Sequence, residues 1–146
     1  MDLRETVTVP APSPSVFPFL GDLAQFPRWL SIVDQVAEDD GGWFVDLRGK
    51  VGPLSRSKRL RMERVEFDPG RAVRFERRER DGREHAMWAF DARLVPIGAG
   101  TGTEVTIALH YSGALWGLVL ERLLAGEVAA AKARLVALVS LGVGPG

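Results

Sequence analysis

Thr103-Glu104-Val105-Thr106-Ile107-Ala108-Leu109-His110-Tyr111, together with the apolar run from about Ala114 to Leu141, decides the fold. In the first stretch Val105, Ile107, Leu109 and Tyr111 share one parity. Glu104, Thr106, Ala108 and His110 share the other. That is the period-two pattern of a strand with one dry face. After Ser112-Gly113 the second stretch is far too long for a strand and reads as one long helix. Val128, Leu135, Leu138 and Val139 in its second half are the residues expected to anchor it. The rest of the chain must therefore supply the sheet that this helix covers.

Working back from there, the chain shows a run of strands. Leu3 to Val9 alternates and is the first. Pro10, Pro12 and Pro14 stop it. Ser13 is expected to cap a short apolar helix that starts at Pro14 and carries Val16, Phe17, Phe19 and Leu20, with Gly21 ending it. A second short helix spans about Leu23 to Trp29. Further strands follow at Ser31 to Glu38, Trp43 to Gly49, Leu54 to Phe67, Ala72 to Arg80 and Ala86 to Val95. Asp39-Asp40-Gly41-Gly42, Asp68-Pro69-Gly70 and Asp81-Gly82 are turn signals between them. Ile97 to Gly102 reads as a hairpin loop, and residues 142–146 as a frayed tail. Hairpin-linked strands with one long helix imply an α+β fold, a seven-stranded antiparallel sheet with helix on one face.

The chain has 146 residues, the size of one domain, and the whole of residues 1–146 reads as such. It has no cysteine, which excludes disulfides, thiolate metal sites and cysteine nucleophiles. Its formal net charge is zero, so it lacks the field of a general nucleic-acid binder. Met1 to Thr6 lacks the apolar core of a secretory leader, and charged residues interrupt the C-terminal apolar run. A cytoplasmic protein is the expectation.

The dry faces collect large rings. Trp43, Val45 and Leu47 oppose Phe44, Asp46 and Arg48. Val73 and Phe75 oppose Arg74, Glu76 and Arg78. Trp88, Phe90, Ala92 and Leu94 oppose Ala89, Asp91 and Arg93. In the fourth strand Leu60 and Met62 share one parity, and Val65 and Phe67 the other. A bulge near Glu63-Arg64 is expected to bring both pairs inside and to bend the sheet. Alternation fixes the dry face, but it does not separate a filled core from a cavity.

These residues resemble a known family in an ordered set. Val7-Thr8-Val9-Pro10-Ala11-Pro12-Ser13-Pro14-Ser15-Val16-Phe17 is similar to the first strand and helix of START-like (SRPBCC, helix-grip) proteins. Phe26-Pro27-Arg28-Trp29-Leu30 with Val33 and Val36, Phe67-Asp68-Pro69-Gly70-Arg71, Trp88-Ala89-Phe90 and Gly102 to Thr106 resemble their later segments. Gly52-Pro53-Leu54-Ser55 and the apolar start of the last helix look most like the polyketide cyclase/dehydrase and coenzyme Q-binding branch. The resemblance implies a helix-grip fold: a curved seven-stranded antiparallel sheet wrapped around the long C-terminal helix, with two short helices after strand 1. It also implies a hydrophobic cavity between sheet and helix. It names no ligand, because the fold hosts cyclases, lipid carriers, hormone receptors and chaperone activators.

The residues expected to line such a cavity are Phe17, Trp29, Trp43, Val45, Leu60, Met62, Phe75, Trp88, Phe90, Ile107, Leu109, Tyr111, Leu118 and Leu123. Polar chemistry is sparse. His85 lies at a turn edge and His110 on the wet face. With no ligand spacing in the sequence, no metal and no cofactor are expected. Tyr111, the one tyrosine, has the dry parity, and its hydroxyl could orient a ligand carbonyl or donate a proton. Arg77 and Glu79 share parity with Phe75, and a cavity arginine could pair with an enolate. Tyr111 and Arg77 are thus the candidate catalytic residues. The basic run Arg56 to Arg64 is expected to pair across the sheet with residues on neighbouring strands, such as Glu76 and Asp91.

The reading that follows is a carrier of a small hydrophobic molecule: a polyketide-like aromatic, an isoprenoid quinone or a lipid. The alternative is a polyketide cyclase or dehydratase. Leu115 to Leu124 is apolar all round and could touch a membrane peripherally. No nucleic acid is expected as partner, and monomer and homodimer stay equally open.

Overall fold

A computed structural model describes residues 1–48, 57–113 and 117–141, without the side chains of residues 57, 117–121 and 123. Strand β1 (Asp2–Val9) leads into helix α1 (Ser13–Gly21) and a 3-10 helix (Leu23–Arg28). Six strands follow: β2 (Val33–Asp39), β3 (Gly42–Arg48), β4 (Ser57–Asp68), β5 (Ala72–Arg77), β6 (Trp88–Ile97) and β7 (Gly102–Tyr111). Helix α2 (Gly117–Ser140) closes the order. All seven strands form one antiparallel sheet in the order β1-β7-β6-β5-β4-β3-β2. This is the predicted helix-grip α+β architecture.

Local chemistry explains the elements. The second short helix is 3-10 rather than α, because Pro27 cannot donate to an α-helical ladder. The Asp22 carboxylate accepts from the Ala24 N–H at 3.0 Å and starts it. Ser13 does not cap α1 as expected. Its hydroxyl is buried and bonds the Thr103 hydroxyl at 3.1 Å, and Thr103 in turn donates to the Ala11 carbonyl at 2.8 Å. That relay ties the start of α1 to β7. At the β2–β3 turn, Gly42 is required by close approach: a Cβ there would lie 2.6 Å from the Met62 carbonyl oxygen.

One face of the sheet is dry, as the alternation predicts. Val45, Leu60, Met62, Val73, Phe75, Trp88, Phe90, Ala92, Leu94, Val105 and Ile107 are all buried. Helix α2 lays Leu124, Val128, Ala131, Leu135 and Val139 against that face, an i, i+4, i+7, i+11, i+15 stripe. It packs on β1 and α1. Two polar links fasten its middle. Lys132 Nζ donates to Glu5 Oε2 at 3.0 Å, and the Ser31 hydroxyl donates to the Glu127 carboxylate.

The bulge in β4 lies one residue beyond the expected place. Arg64 pairs with Phe75 and Glu66 with Arg74, so Val65 is the extra residue. The shift brings Phe67, opposite Val73, onto the face of Met62. Val65 itself stays outside, 42% exposed, because a bulge residue has no opposite partner. Phe67 does not enter the core either. It stands at the strand end, 48% exposed, against Phe17 at 5.7 Å with the Arg64 guanidinium 3.9 Å from its ring.

The basic run pairs with acids across the sheet as expected, but not with Glu76 and Asp91. Arg59 pairs with Asp46 at 2.8 Å. Arg61 is buried and binds Asp39 at 2.7 Å, the Glu63 carboxylate and the carbonyls of Asp40 and Arg78. Glu76 pairs instead with Arg74 and Arg78, and Asp91 with Arg74 and Arg93. The reason is register. β4 lies beside β3 as well as β5, and the hairpin at Asp39–Asp40 reaches over it.

Candidate functional site

The dry face and α2 do not meet completely. A cavity of about 60 Å³ remains between them, with apolar walls. Strands β3, β4, β6 and β7 supply Val45, Leu60, Met62, Trp88, Phe90 and Leu109. A smaller void of about 20 Å³ adjoins it, lined among others by Trp29, Phe90, Ile107 and Leu109. Leu124 lies on both. Such spaces form where ring-sized side chains on a curved sheet face a straight helix.

Of the residues singled out from the sequence, Phe17, Phe75 and Tyr111 are buried in the surrounding core, Trp43 is half-buried, and none of the four lines either void. Leu118 and Leu123 fall outside the described side chains, as do Trp116 and Gly52 to Ser55. Residues Leu23, Phe26, Leu30, Ile32 and Val33 also line the larger cavity. The sequence shows them as apolar, but only the chain's path after α1 lays that segment across the end of the sheet.

Tyr111 sits at the end of β7, buried, with its ring 4.6 Å from that of Trp88. Gly113 packs directly on it. A Cβ at Gly113 would lie 1.9 Å from the Tyr111 hydroxyl. Any side chain there would evict the ring.

Arg77 pairs with Met62 across the sheet and so belongs to the inner face, but its guanidinium is already engaged. Nε donates to Glu79 at 2.7 Å, one terminal nitrogen to the Ala86 carbonyl at 3.3 Å, and the other to His85 Nδ1 at 3.2 Å. Arginine can only donate, so His85 Nδ1 accepts and Nε2 carries the proton it gives to Asp81 at 2.8 Å. Asp81, His85, Arg77 and Glu79 thus form one chain of hydrogen bonds beside the β5–β6 connection. Lys58, opposite Leu47 on the inner face, has its ammonium pulled below the usual lysine range by desolvation and then by the nearby Arg77 charge.

Two larger grooves, about 480 and 650 Å³, lie at the β2–β3 hairpin and on the outer face of the sheet. Their walls are charged, and the charges answer one another. On the outer face Asp91 meets Arg74 and Arg93, each at 3.7 Å, and His110 meets Asp2 at 2.5 Å. Size alone does not make these the site. Among the described residues no three His, Asp or Glu side chains assemble as a metal site. No helix there is long and apolar enough to cross a membrane.

Comparison with known proteins fits this geometry. The family described as polyketide cyclase/dehydrase and lipid transport matches residues 1–140. No curated protein matches the chain. Among solved structures, a START superfamily protein from Mycobacterium smegmatis is similar over 97% of this chain and 99% of its own, with TM-score 0.74 at 14% identity. The Zhui aromatase/cyclase from Streptomyces sp. R1128 is similar over 96% and 93%, with TM-score 0.71 at 17% identity. Protein CV1439 from Chromobacterium violaceum is similar over 94% and 96%, with TM-score 0.70 at 17% identity. At such identities the likeness shows the fold alone, and the match over residues 1–140 shows the family. The chain therefore belongs to the polyketide cyclase/dehydrase and lipid transport family.

Proposed function

We propose that this protein carries a small hydrophobic molecule, a polyketide-like aromatic, an isoprenoid quinone or a lipid, between the sheet and α2. One observation carries this reading. The void left by an otherwise close-packed interior has apolar walls and lies under the helix that closes the sheet. The driving force is hydrophobic. Burying about 400 Å² of ligand at about 25 cal/mol/Å² contributes roughly 10 kcal/mol, and association costs at least about 4 kcal/mol. The remainder corresponds to binding at tens of micromolar.

A ligand of that size needs a space of roughly 300–1,000 Å³, so the cavity of about 60 Å³ must widen. Its sheet walls are held by ladder hydrogen bonds. Its helix wall is held by side chains, and among the described residues the polar links Ser31–Glu127 and Glu5–Lys132 fasten the middle of α2. In this reading the wall that moves is the helix rather than the sheet, on the side of α2 before Glu127. Titration with a naphthoquinone, a fatty acid and a polyphenol, followed by tryptophan fluorescence and thermal shift, tests the reading. Saturable binding below 1 mM, with slowed amide exchange in residues 117–126, is expected. Absence of any such binding would refute it.

A second reading, polyketide cyclase or dehydratase, rests on Tyr111 against Trp88 and on the oriented Arg77. Tyr111 would donate a proton to a substrate oxygen, and Arg77 would steady an enolate. Three of the five N–H donors of Arg77 already bind Glu79, the Ala86 carbonyl and His85, which ties the guanidinium to the β5–β6 connection and favours the carrier. If Tyr111→Phe and Arg77→Ala leave the product distribution from a poly-β-ketone unchanged, those roles fall.

A further inference from the structure

Outside the cavity, one buried cation has donors to spare. The Arg77 side chain is 8% exposed, and its five N–H groups meet three acceptors: Glu79, the Ala86 carbonyl and His85. His85, itself held by Asp81 at 2.8 Å, fixes the plane of the guanidinium. Glu79 does not serve Arg77 alone. It accepts from the Arg61 backbone N–H at 3.2 Å, and it favours the Lys58 ammonium, which desolvation and Arg77 disfavour. Arg77 also lines a pocket of about 220 Å³, with Glu79, Arg83, His85 and Met87 among its other walls. Arg83 is exposed. Its backbone N–H bonds Asp81 at 2.9 Å, and its guanidinium has no partner among the described residues. Arg78, the third arginine of the wall, is committed to Glu76 at 3.0 Å. The pocket thus gathers three arginines around one carboxylate, and it shares no lining residue with the apolar cavity.

We propose that the pocket at the β5–β6 connection binds a phosphate monoester, with Arg77 as its buried anchor and Arg83 as its outer contact. A dianion supplies the negative charge that the wall lacks, and its terminal oxygens accept from both guanidiniums. Arginine suits the task because its fork is rigid, and here His85 and Glu79 hold the fork of Arg77 before any ligand arrives. A space of about 220 Å³ lies below the range of sites for whole drug-sized molecules. It takes the phosphate and the first part of its ester group, and the remainder projects outward. Glu79 opposes the ligand's charge, so the affinity is moderate. The phosphate can belong to a soluble ester or to a lipid headgroup. Failure of the carrier reading leaves this site untouched, because the two spaces are separate.

Phenyl phosphate, titrated into the nitrogen-15-labelled full chain at about pH 8, where the monoester is a dianion, tests this. Ionic strength is held constant with chloride, and phenol is the uncharged control. Saturable shifts of the Arg77 and Arg83 Nε–H resonances are expected, with Kd on the order of 1 mM, and none with phenol. Arg83→Gln is expected to weaken binding about 3-fold and Arg77→Gln at least about 10-fold. Glu79→Gln keeps an acceptor for Arg77 and removes the opposing charge, so it is expected to tighten binding about 3-fold. No saturation by about 20 mM phenyl phosphate, or an affinity that all three variants leave unchanged, would overturn the site. The wild-type resonances and the exposed Arg83 variant decide the matter even if Arg77→Gln folds poorly. Vesicles of phosphatidylcholine with and without phosphatidic acid, whose headgroup is a phosphate monoester, separate the two sources. Co-sedimentation that needs phosphatidic acid and weakens in Arg83→Gln supports a lipid headgroup in the site. Its absence, with phenyl phosphate bound, supports a soluble ester.

Discussion

Arg61 stands in the middle of the densest basic run, and nothing in the one-dimensional pattern separates it from its neighbours. Only the β2–β3 hairpin, folding back over β4, delivers Asp39 and the Asp40 carbonyl to it, while Glu63 and the Arg78 carbonyl complete its shell. A buried guanidinium is tolerated because it can donate in every direction it faces. Arg61→Ala is expected to cost about 1–3 kcal/mol by urea denaturation, less than a fully enclosed pair because Asp39 and Glu63 are each 31% exposed and regain water. A loss under about 0.5 kcal/mol would mean the cluster is ornamental. Tyr111 and Trp88 tell the opposite story. Their parity already places them on the dry face, and the structure adds that the two rings touch.

Helix α2 was legible as an element but not as a wall. Its length and apolar content follow from the residues alone, and so does its second half as the anchor. Val128, Leu135 and Val139 are indeed buried, and Leu138 packs partly against the core. Leu124 and Ala131 complete the stripe, which the surrounding alanines and leucines hide from a simple count. Leu135→Ala is expected to destabilise by about 2–5 kcal/mol, since the sheet beneath cannot collapse into the gap. Thermal unfolding would show it as a lower midpoint. An unchanged midpoint would contradict burial of this side chain. The bulge in β4 was legible in kind. Broken parity demands one extra residue, but which one takes that place depends on how β5 pairs alongside.

At the scale of the whole molecule, charge pairing sets the response to acid. Hydrogen bonds from Arg61, Arg59 and Arg74 hold the carboxyls of Asp39, Asp46 and Glu76 below the usual carboxylate range. The Arg83 backbone N–H, and then His85, do the same for Asp81. In the unfolded chain these groups take up protons at higher pH than in the fold. Their stabilisation is therefore complete above the ordinary carboxylate range and is lost as pH falls through the lowered folded values. Urea midpoints are expected to be level above about pH 5 and to drop below about pH 4, more shallowly in 1 M salt because most of these pairs face water. A midpoint that rises on acidification would contradict the assignment. By itself the sequence determined the elements, their antiparallel character and the dry face, because side-chain parity and turn chemistry are local properties. Tertiary structure alone decided that the dry face leaves a small apolar void, that Arg77 is bound to Glu79 and His85, and that the Trp88 N–H has no acceptor among the described residues. The void depends on how far two distant surfaces fall short of meeting, and no spacing along the chain encodes that distance.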